Sequence, residues 1–468
     1  MQYRKEIEAY FDEHWFEIMK DISRICAINS ERMPAEEGKP FGDGPYQALM
    51  EFGRMAAEKG FTMKTYDNVV GAIDLNDGEK QLDILAHLDV VPAGEGWTET
   101  EPFKVVLKDG RLFGRGTADD KGPAVVSLWA LKAARDLGLP VTKNARLIVG
   151  TDEECGSGDL PHYYAVEKEA PMSFSPDADY PVINIEKGGL APKFFKAWAK
   201  DETLPRLVSM KGSLKINVLP GKAYATVMGL SVPALSQAAE KATARTGVHF
   251  TFEENSDCVN ITAEGHGAHA AFPETGNNAL TGLIYFLTCL PLRDGEDTRA
   301  LASLKKLFPH GDCYGQGLGV NMEDEISGKL TLVFSMMDWN EEGFVGQFDC
   351  RAPLMATNEN LRDVALAALA AEGIKMEDKD MNPPHHVPGD SDFVKELLSV
   401  YEEYTGQEGK PLAIGGGTYV HHLENGVAFG CTMPGTDNRM HGADEFAVVD
   451  ELLVSGKMFT QVIADLCK

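Results

Sequence analysis

Apolar and polar residues alternate along this chain in two rhythms. The opening run MQYRKEIEAYFDEHWFEIMKDISRI spaces apolar side chains at helical intervals among charges and predicts an amphipathic helix. Short apolar runs bounded by turn residues follow, VVGAIDL, LDILAHLD, RLIVGTDE and PVINIEKG, and each predicts a buried strand. Helical segments such as KGPAVVSLWALKAARDLG lie between them. From about residue 65 to 187 the chain therefore reads as an α/β sheet covered on both faces, with Asp109-Gly110 as a hairpin turn inside it.

The pattern changes from about 188 to 384, where polar strands, a Pro-rich exit (NPPHHVP) and two alanine-dense helices appear. A strand, an alanine-rich helix and a strand occur there as AYATVMGL, ALSQAAEKATARTG and VHFTFEE. They occur again as FVGQFDCRA, NLRDVALAALAAEG and IKMED. This is either a weak internal repeat or two unrelated α+β units of similar composition. DFVKELLSVYEEYTG, PLAIGGG, GVAFG and a closing helix from about Ala443 then resume the first rhythm. The expected organisation is an α/β main domain in two pieces, 1–187 and 385–468, interrupted by an inserted α+β domain at 188–384. Its sheet is mixed and mainly parallel, flanked by helices.

Composition narrows the function. Of 468 residues, 43% are hydrophobic and 25% charged, which is ordinary for globular domains. A formal net charge of −28 would repel phosphate backbones, so nucleic acid is not an expected partner, and a small neutral or zwitterionic ligand suits the chain better. No apolar run is long enough to span a bilayer, and the charged opening helix does not read as a secretory signal. The eight cysteines are scattered without paired spacings, against both a disulfide framework and a thiolate metal knuckle. A reducing cytoplasm is the expected location.

Chemistry-bearing residues collect at the ends of the predicted strands. In LDILAHLDVVP, His87 and Asp89 share a strand face, so the Asp89 carboxylate can hydrogen-bond the imidazole nitrogen that a metal on His87 leaves free. A strand-end histidine beside a turn aspartate is the plainer reading of that pair alone. In GRGTADDKG, Asp119 and Asp120 are adjacent carboxylates ahead of a helix, unfavourable unless a cation or the helix N-terminus offsets them, and Asp120 could simply cap that helix. In TDEECGSGD, Glu153 and Glu154 follow a strand, where one glutamate can bind metal while its neighbour takes a proton from water. By itself this acidic run is also ordinary solvated surface. Asp177 in SFSPDADYP and His441 in NRMHGADE complete a set of oxygen and imidazole donors with no thiolate.

Taken in order, HLD, GWTETEPFKVVLKDGRLFGRGTADDKG, TDEECGSG, Asp177, EGHGAHAAFPETGNNA and MHGADE resemble the co-catalytic zinc peptidases related to carboxypeptidase G and the aminoacylases. The insert is about twice the usual lid of that clan, which makes the chain most similar to the bacterial PepV-type dipeptidases. Those enzymes act on Xaa-His and other unblocked dipeptides, carnosine included. The resemblance implies that Asp119 bridges two zinc ions, with His87 and Asp177 on one and Glu154 and His441 on the other; cobalt or manganese could occupy the same donors. It further implies a metal-bridging hydroxide, Glu153 as general base, Asp89 orienting His87, and a cis Asp119–Asp120 peptide.

Within the insert, the resemblance assigns His269 of GHGAHAAFP to the oxyanion, and Asn217 and Arg351 to holding the substrate. A guanidinium suits a C-terminal carboxylate, and Gly415 and Gly416 would bring backbone amides to the same group. A strand-edge salt bridge is the competing role for Arg351, and a plain loop for the glycines. His421-His422 lies nearby, as pocket lining or packing. In shorter-lid relatives a second subunit supplies the lid histidine, so the doubled lid implies a monomer. The expected activity is dipeptide hydrolysis. The alternatives are an N-acyl-amino-acid deacylase with the same metals and a catalytically silent scaffold, against which Glu153 argues.

Overall fold

The strand Lys80–His87 is buried from Leu82 to its end, which is why its sequence runs apolar without alternation. It lies between two parallel neighbours, Asn144–Gly150 and Met172–Ser175. In this computed structural model, which describes all 468 residues, the chain divides into two compact units. The first comprises Met1–Ile185, His386–Leu412 and Gly417–Lys468; the second comprises Glu186–His385 and Ala413–Gly416.

The first unit is built on a mixed sheet. Seven of its nine strands run Met63–Tyr66, Val70–Asp74, Asn144–Gly150, Lys80–His87, Met172–Ser175, Gly426–Ala428 and Val182–Glu186 in spatial order. The four central strands are parallel, and the outer pairings are antiparallel. Helices Arg4–Cys26, Lys121–Asp136 and Val449–Leu466 pack on one another, with Phe11, Phe52, Phe174 and Phe459 fully buried in the core they share with the sheet. Between the central strands, the Arg146 guanidinium donates Nε and Nη2 to the two oxygens of Asp83 at 3.0 and 2.9 Å, out of solvent.

Two sequence expectations shift. Asp109 and Gly110 do turn a hairpin, with φ of 51° and 73°, the left-handed pair that a two-residue loop requires. That hairpin lies outside the main sheet, in a three-stranded sheet with Phe446–Val448. The closing helix begins at Val449 and not near Ala443, because 446–448 is held in that small sheet by ladder hydrogen bonds.

The second unit is a nine-stranded antiparallel sheet. One half runs His249–Glu254, Cys258–Glu264, Lys222–Met228, Arg206–Lys211; the other runs Thr331–Asn340, Gly343–Ala352, Lys193–Ala197, Lys375–Met376, and the ninth strand, Gly188–Leu190, also pairs with Gly343–Ala352. In each half a strand, then a helix (Val232–Thr246 or Asp363–Ala371), then an edge strand enclose one antiparallel strand between them. The halves meet where Met210 and Lys211 pair with Trp339 and Asp338.

Candidate metal centre

Three parallel strands of the first unit bring their carboxyl ends to one edge, which is where an open α/β sheet gathers chemistry. His87 ends one strand, Gly150 leads into the turn Glu153–Cys155 from the next, and Ser175 leads into Asp177 from the third. A side chain at Gly150 would meet the Tyr419 hydroxyl at 2.0 Å and Asp159 Oδ2 at 2.3 Å, so only glycine fits where the turn departs. Asp159 fixes that turn from beneath. Buried, it accepts Thr151 N at 2.5 Å, Asp152 N at 3.0 Å and the Tyr419 hydroxyl. It is the final acid of TDEECGSGD, and no local pattern in the sequence marks this role.

Asp119 lies at the centre. His87 Nε2 is 3.0 Å from Asp119 Oδ1 and 3.4 Å from Asp177 Oδ2; His441 Nε2 is 2.9 Å from Asp119 Oδ2 and 3.2 Å from Glu154 Oε1. Two triads result, His87–Asp119–Asp177 and Asp119–Glu154–His441, each with donor atoms within 4.8 Å of one another. His87 Nε2, Asp119 Oδ1 and Glu154 Oε1 are buried without a hydrogen-bond partner, despite those short separations. Unpaired polar atoms are rare in a protein interior, and several that converge on one point are aimed at a shared third body. Oxygen and imidazole donors without sulfur fit a divalent cation in each triad.

The electrostatics agree. Burial opposes a charge on His441, yet the Asp119 and Glu154 carboxylates push its pKa up to about 11. Burial, with the charge of Asp119, pushes Glu154 up to about 7. Against burial, the two imidazoles hold Asp119 well below the usual carboxylate range. Burial raises Glu153 strongly; the imidazole of His87 opposes this, and the carboxylates of Asp177, Glu154 and Asp89 add to it. These acids outnumber the two imidazoles, and cations are the ordinary means of balancing such an excess.

Neighbouring groups are placed differently from the simplest reading of the motifs. The nearer acceptor for His87 Nδ1 is the Asp89 carbonyl at 3.0 Å, with the carboxylate at 3.4 Å. That carboxylate accepts the backbone N–H groups of Glu153 and Glu154, both at 3.1 Å, and so ties the glutamate turn to the His87 strand. Asp120 makes no side-chain cap on the helix Lys121–Asp136; its Oδ2 accepts His87 N at 2.9 Å. The Asp119–Asp120 peptide is cis. His421 is buried in the short helical turn Tyr419–His422.

In the second unit, Val218 pairs with His269 in a two-stranded ribbon, and Ala270 N donates to Asn217 O at 2.9 Å, so Asn217 and His269 are neighbours. Ala271 N donates to His269 Nδ1 at 3.2 Å, which leaves Nε2 as the proton-bearing nitrogen of the neutral ring. Arg351 Nη2 donates to Asp349 Oδ2 at 2.8 Å and Nη1 to the carbonyl of Gly415 at 2.9 Å, and its Nε is buried without a partner. The guanidinium thus has a salt bridge and also joins the glycine segment 415–416.

Comparison with known proteins identifies the chain. The sequence profile of Peptidase family M20/M25/M40 matches residues 84–465. The chain is 34% identical over 457 residues to the putative dipeptidase YtjP of Bacillus subtilis, covering 97% of each. It is 34% identical over 457 residues to the Beta-Ala-Xaa dipeptidase of Lactobacillus delbrueckii subsp. lactis, covering 96% of each. Human carnosine dipeptidase 1 has the same fold, with a TM-score of 0.62 at 14% identity over 100% of this chain and 99% of that one. So does aminoacylhistidine dipeptidase from Vibrio alginolyticus, with a TM-score of 0.57 at 13% identity over 96% of each chain. With that profile spanning most of its length, the chain belongs to the peptidase family M20/M25/M40 and is a peptide hydrolase.

Proposed function

We propose that the protein hydrolyses unblocked dipeptides, Xaa-His and carnosine-like ones among them, with two divalent cations, zinc foremost, held around Asp119. The observation that carries this reading is the sharing of one carboxylate between two triads in which His87 Nε2, Asp119 Oδ1 and Glu154 Oε1 are buried without a hydrogen-bond partner. The names of the Bacillus and Lactobacillus relatives support a dipeptide substrate. His87 and Asp177 would complete one site, and Glu154 and His441 the other. When bound, the cations supply Lewis-acid polarisation of the scissile carbonyl and lower the pKa of water.

The chain's own groups supply the rest. Glu153 takes the proton of the attacking water on its carboxylate and returns it to the departing amine, serving as base and then acid. Asp89 holds Glu153 and Glu154 through their backbone N–H groups while its residue fixes the His87 ring. His269 donates from Nε2 to the oxyanion that develops on the carbonyl oxygen, and Asn217 assists in holding the substrate. Arg351, with the amides of Gly415 and Gly416, binds the C-terminal carboxylate, which restricts substrates to those that end there. The doubled lid supports a monomer, to be checked by sizing in solution.

An N-acyl-amino-acid deacylase would use the same cation site, so the deciding comparison is the free amine. The protein should be stripped of metal, reloaded with zinc, and assayed on β-Ala-His and its N-acetylated form. Zinc-dependent cleavage of the unblocked compound is expected. Preference for the acetylated compound would overturn the dipeptidase reading, and activity undiminished after stripping would overturn the metal centre.

A further inference from the structure

His441 is the donor that packing supports least. Its side chain is 46% exposed, against 5% for Asp119 and 10% for Glu154. The backbone that carries it is also unfavourable: Arg439, His441 and Asp444 all have positive φ, at 56°, 62° and 55°, in a region that non-glycine residues seldom adopt. A loop in that conformation persists only where its surroundings over-determine it.

The surroundings here are two acids at the end of NRMHGADE. Asp444 accepts Thr98 N at 2.7 Å, Glu99 N at 2.8 Å and the Thr98 hydroxyl at 2.6 Å, which anchors the loop at one side. Glu445 reaches the loop that carries Asp119. Its Oε1 accepts the backbone N–H groups of Gly116, Ala118 and Asp119 at 3.0, 3.1 and 3.3 Å, and its Oε2 pairs with Arg115 Nη1. Arg115 Nη2 returns to the His441 loop by donating to the carbonyl of Gly442 at 3.1 Å. Both side chains of the pair are essentially out of solvent, at 1% and 0%.

A buried ion pair adds little stability over well-packed apolar residues, and its best-attested use is to fix register. We propose that Arg115 and Glu445 are positioning residues: one buried pair, hydrogen-bonded to the backbones of both loops, fixes His441 opposite Asp119 so that the second cation site is assembled before the cation arrives. The inference rests on the reading of Asp119, Glu154 and His441 as a cation site. Neither residue belongs to the two donor triads. Groups that orient metal ligands in this way typically contribute about 10- to 100-fold to metal affinity.

The test is zinc titration of metal-free full-length protein against a chelating dye, for wild type, Glu445→Gln and Arg115→Lys, with urea unfolding of each metal-free form. Glutamine keeps an oxygen for the three backbone N–H groups but turns an amide toward Arg115; lysine keeps the buried charge but lacks the fork that reaches Gly442. The expected result is two zinc ions bound by wild type and an affinity for the weaker ion lowered by about 10- to 100-fold in each variant. Unchanged affinity for both ions, with or without a loss of urea stability, would overturn the positioning role. Should Glu445→Gln not fold, Arg115→Lys decides by the same criterion. Wild-type protein that takes up no zinc would instead overturn the cation-site reading beneath the proposal.

Discussion

His441 Nε2 stands 2.9 Å from Asp119 Oδ2, although one residue follows the first half of the main sheet and the other precedes the last helix. The same carboxylate turns its other oxygen to His87 at 3.0 Å. Replacing Asp119 by alanine therefore removes a donor from both triads at once. The expected outcome is loss of bound zinc to less than one ion per chain, measured by elemental analysis after gel filtration, with peptidase activity lost in parallel.

Glu153 is assigned to proton transfer and not to the cations. Glu153→Gln should keep both zinc ions while kcat falls by about 10²- to 10⁴-fold, the range for a positioned general base. Metal analysis and steady-state kinetics on the same preparation check this. Loss of metal together with activity would move Glu153 into the donor set.

Arg351 is assigned to the substrate carboxylate, to which a second cationic side chain is a poor substitute for the planar fork. Arg351→Lys should lower kcat/KM for a dipeptide by about 10- to 100-fold, the worth of about 1.5–3 kcal/mol for hydrogen bonds to a charged group. The loss should vanish when a dipeptide amide is the substrate. Equal losses on both substrates would return Arg351 to its structural role beside Asp349 and Gly415.

Metal uptake should depend on pH with a definite sign. Without a cation, His441 is protonated up to about pH 11 and Glu154 up to about 7, so binding displaces protons and affinity rises with pH across the neutral range. Calorimetry in buffers of different ionisation enthalpy counts the protons released. Stability of the metal-free protein should move the other way. Both pKa values lie above their ordinary 6.5 and 4.5, the folded state holds more protons than the unfolded, and stability is lost as pH rises from about 4.5 through 7 and on toward 11. Urea midpoints of stripped protein across that window check it, and a midpoint that rises with pH there would contradict it.

Away from the site, Asp83 and Arg146 pair out of solvent in the centre of the sheet, with Glu167 Oε2 3.6 Å from Arg146 Nη1. Asp83→Ala removes the two-point partner of the guanidinium, leaving it only Glu167 at 3.6 Å and the carbonyl of Lys168 at 3.4 Å, and also deprives Ala170 N of its acceptor. The expected cost is about 3–5 kcal/mol in urea unfolding, the range for a buried pair broken on one side. Replacing both residues by apolar ones of similar size should recover much of it.

Much of this fold is legible in one dimension because burial writes itself into composition. VVGAIDL, LDILAHLD, RLIVGTDE and PVINIEKG are apolar without alternation because a strand covered on both faces has no polar side; each is a strand in the structure, LDILAHLD and RLIVGTDE among the parallel ones and VVGAIDL and PVINIEKG in antiparallel pairings. The acids and histidines at their ends were visible as residue types able to bind a cation. Their convergence was not, because hydrogen bonds across distant segments have no local signature. Glu445 looked like the last letter of a motif, yet it is bonded to Gly116, Ala118 and Asp119. The Asp89 carboxylate reads in sequence as a partner for His87 alone; it lies 3.4 Å from His87 Nδ1 and in addition takes the two N–H groups of the glutamate turn. The start of the closing helix was misplaced because 446–448 is strand only by virtue of its partner at 111–113. By itself the sequence determined the class of fold and the kind of atoms that could meet a metal, both being consequences of local periodicity and side-chain chemistry. Tertiary structure alone decided which oxygen of Asp119 faces which imidazole, since that depends on backbone contacts between loops that only the folded sheet brings together.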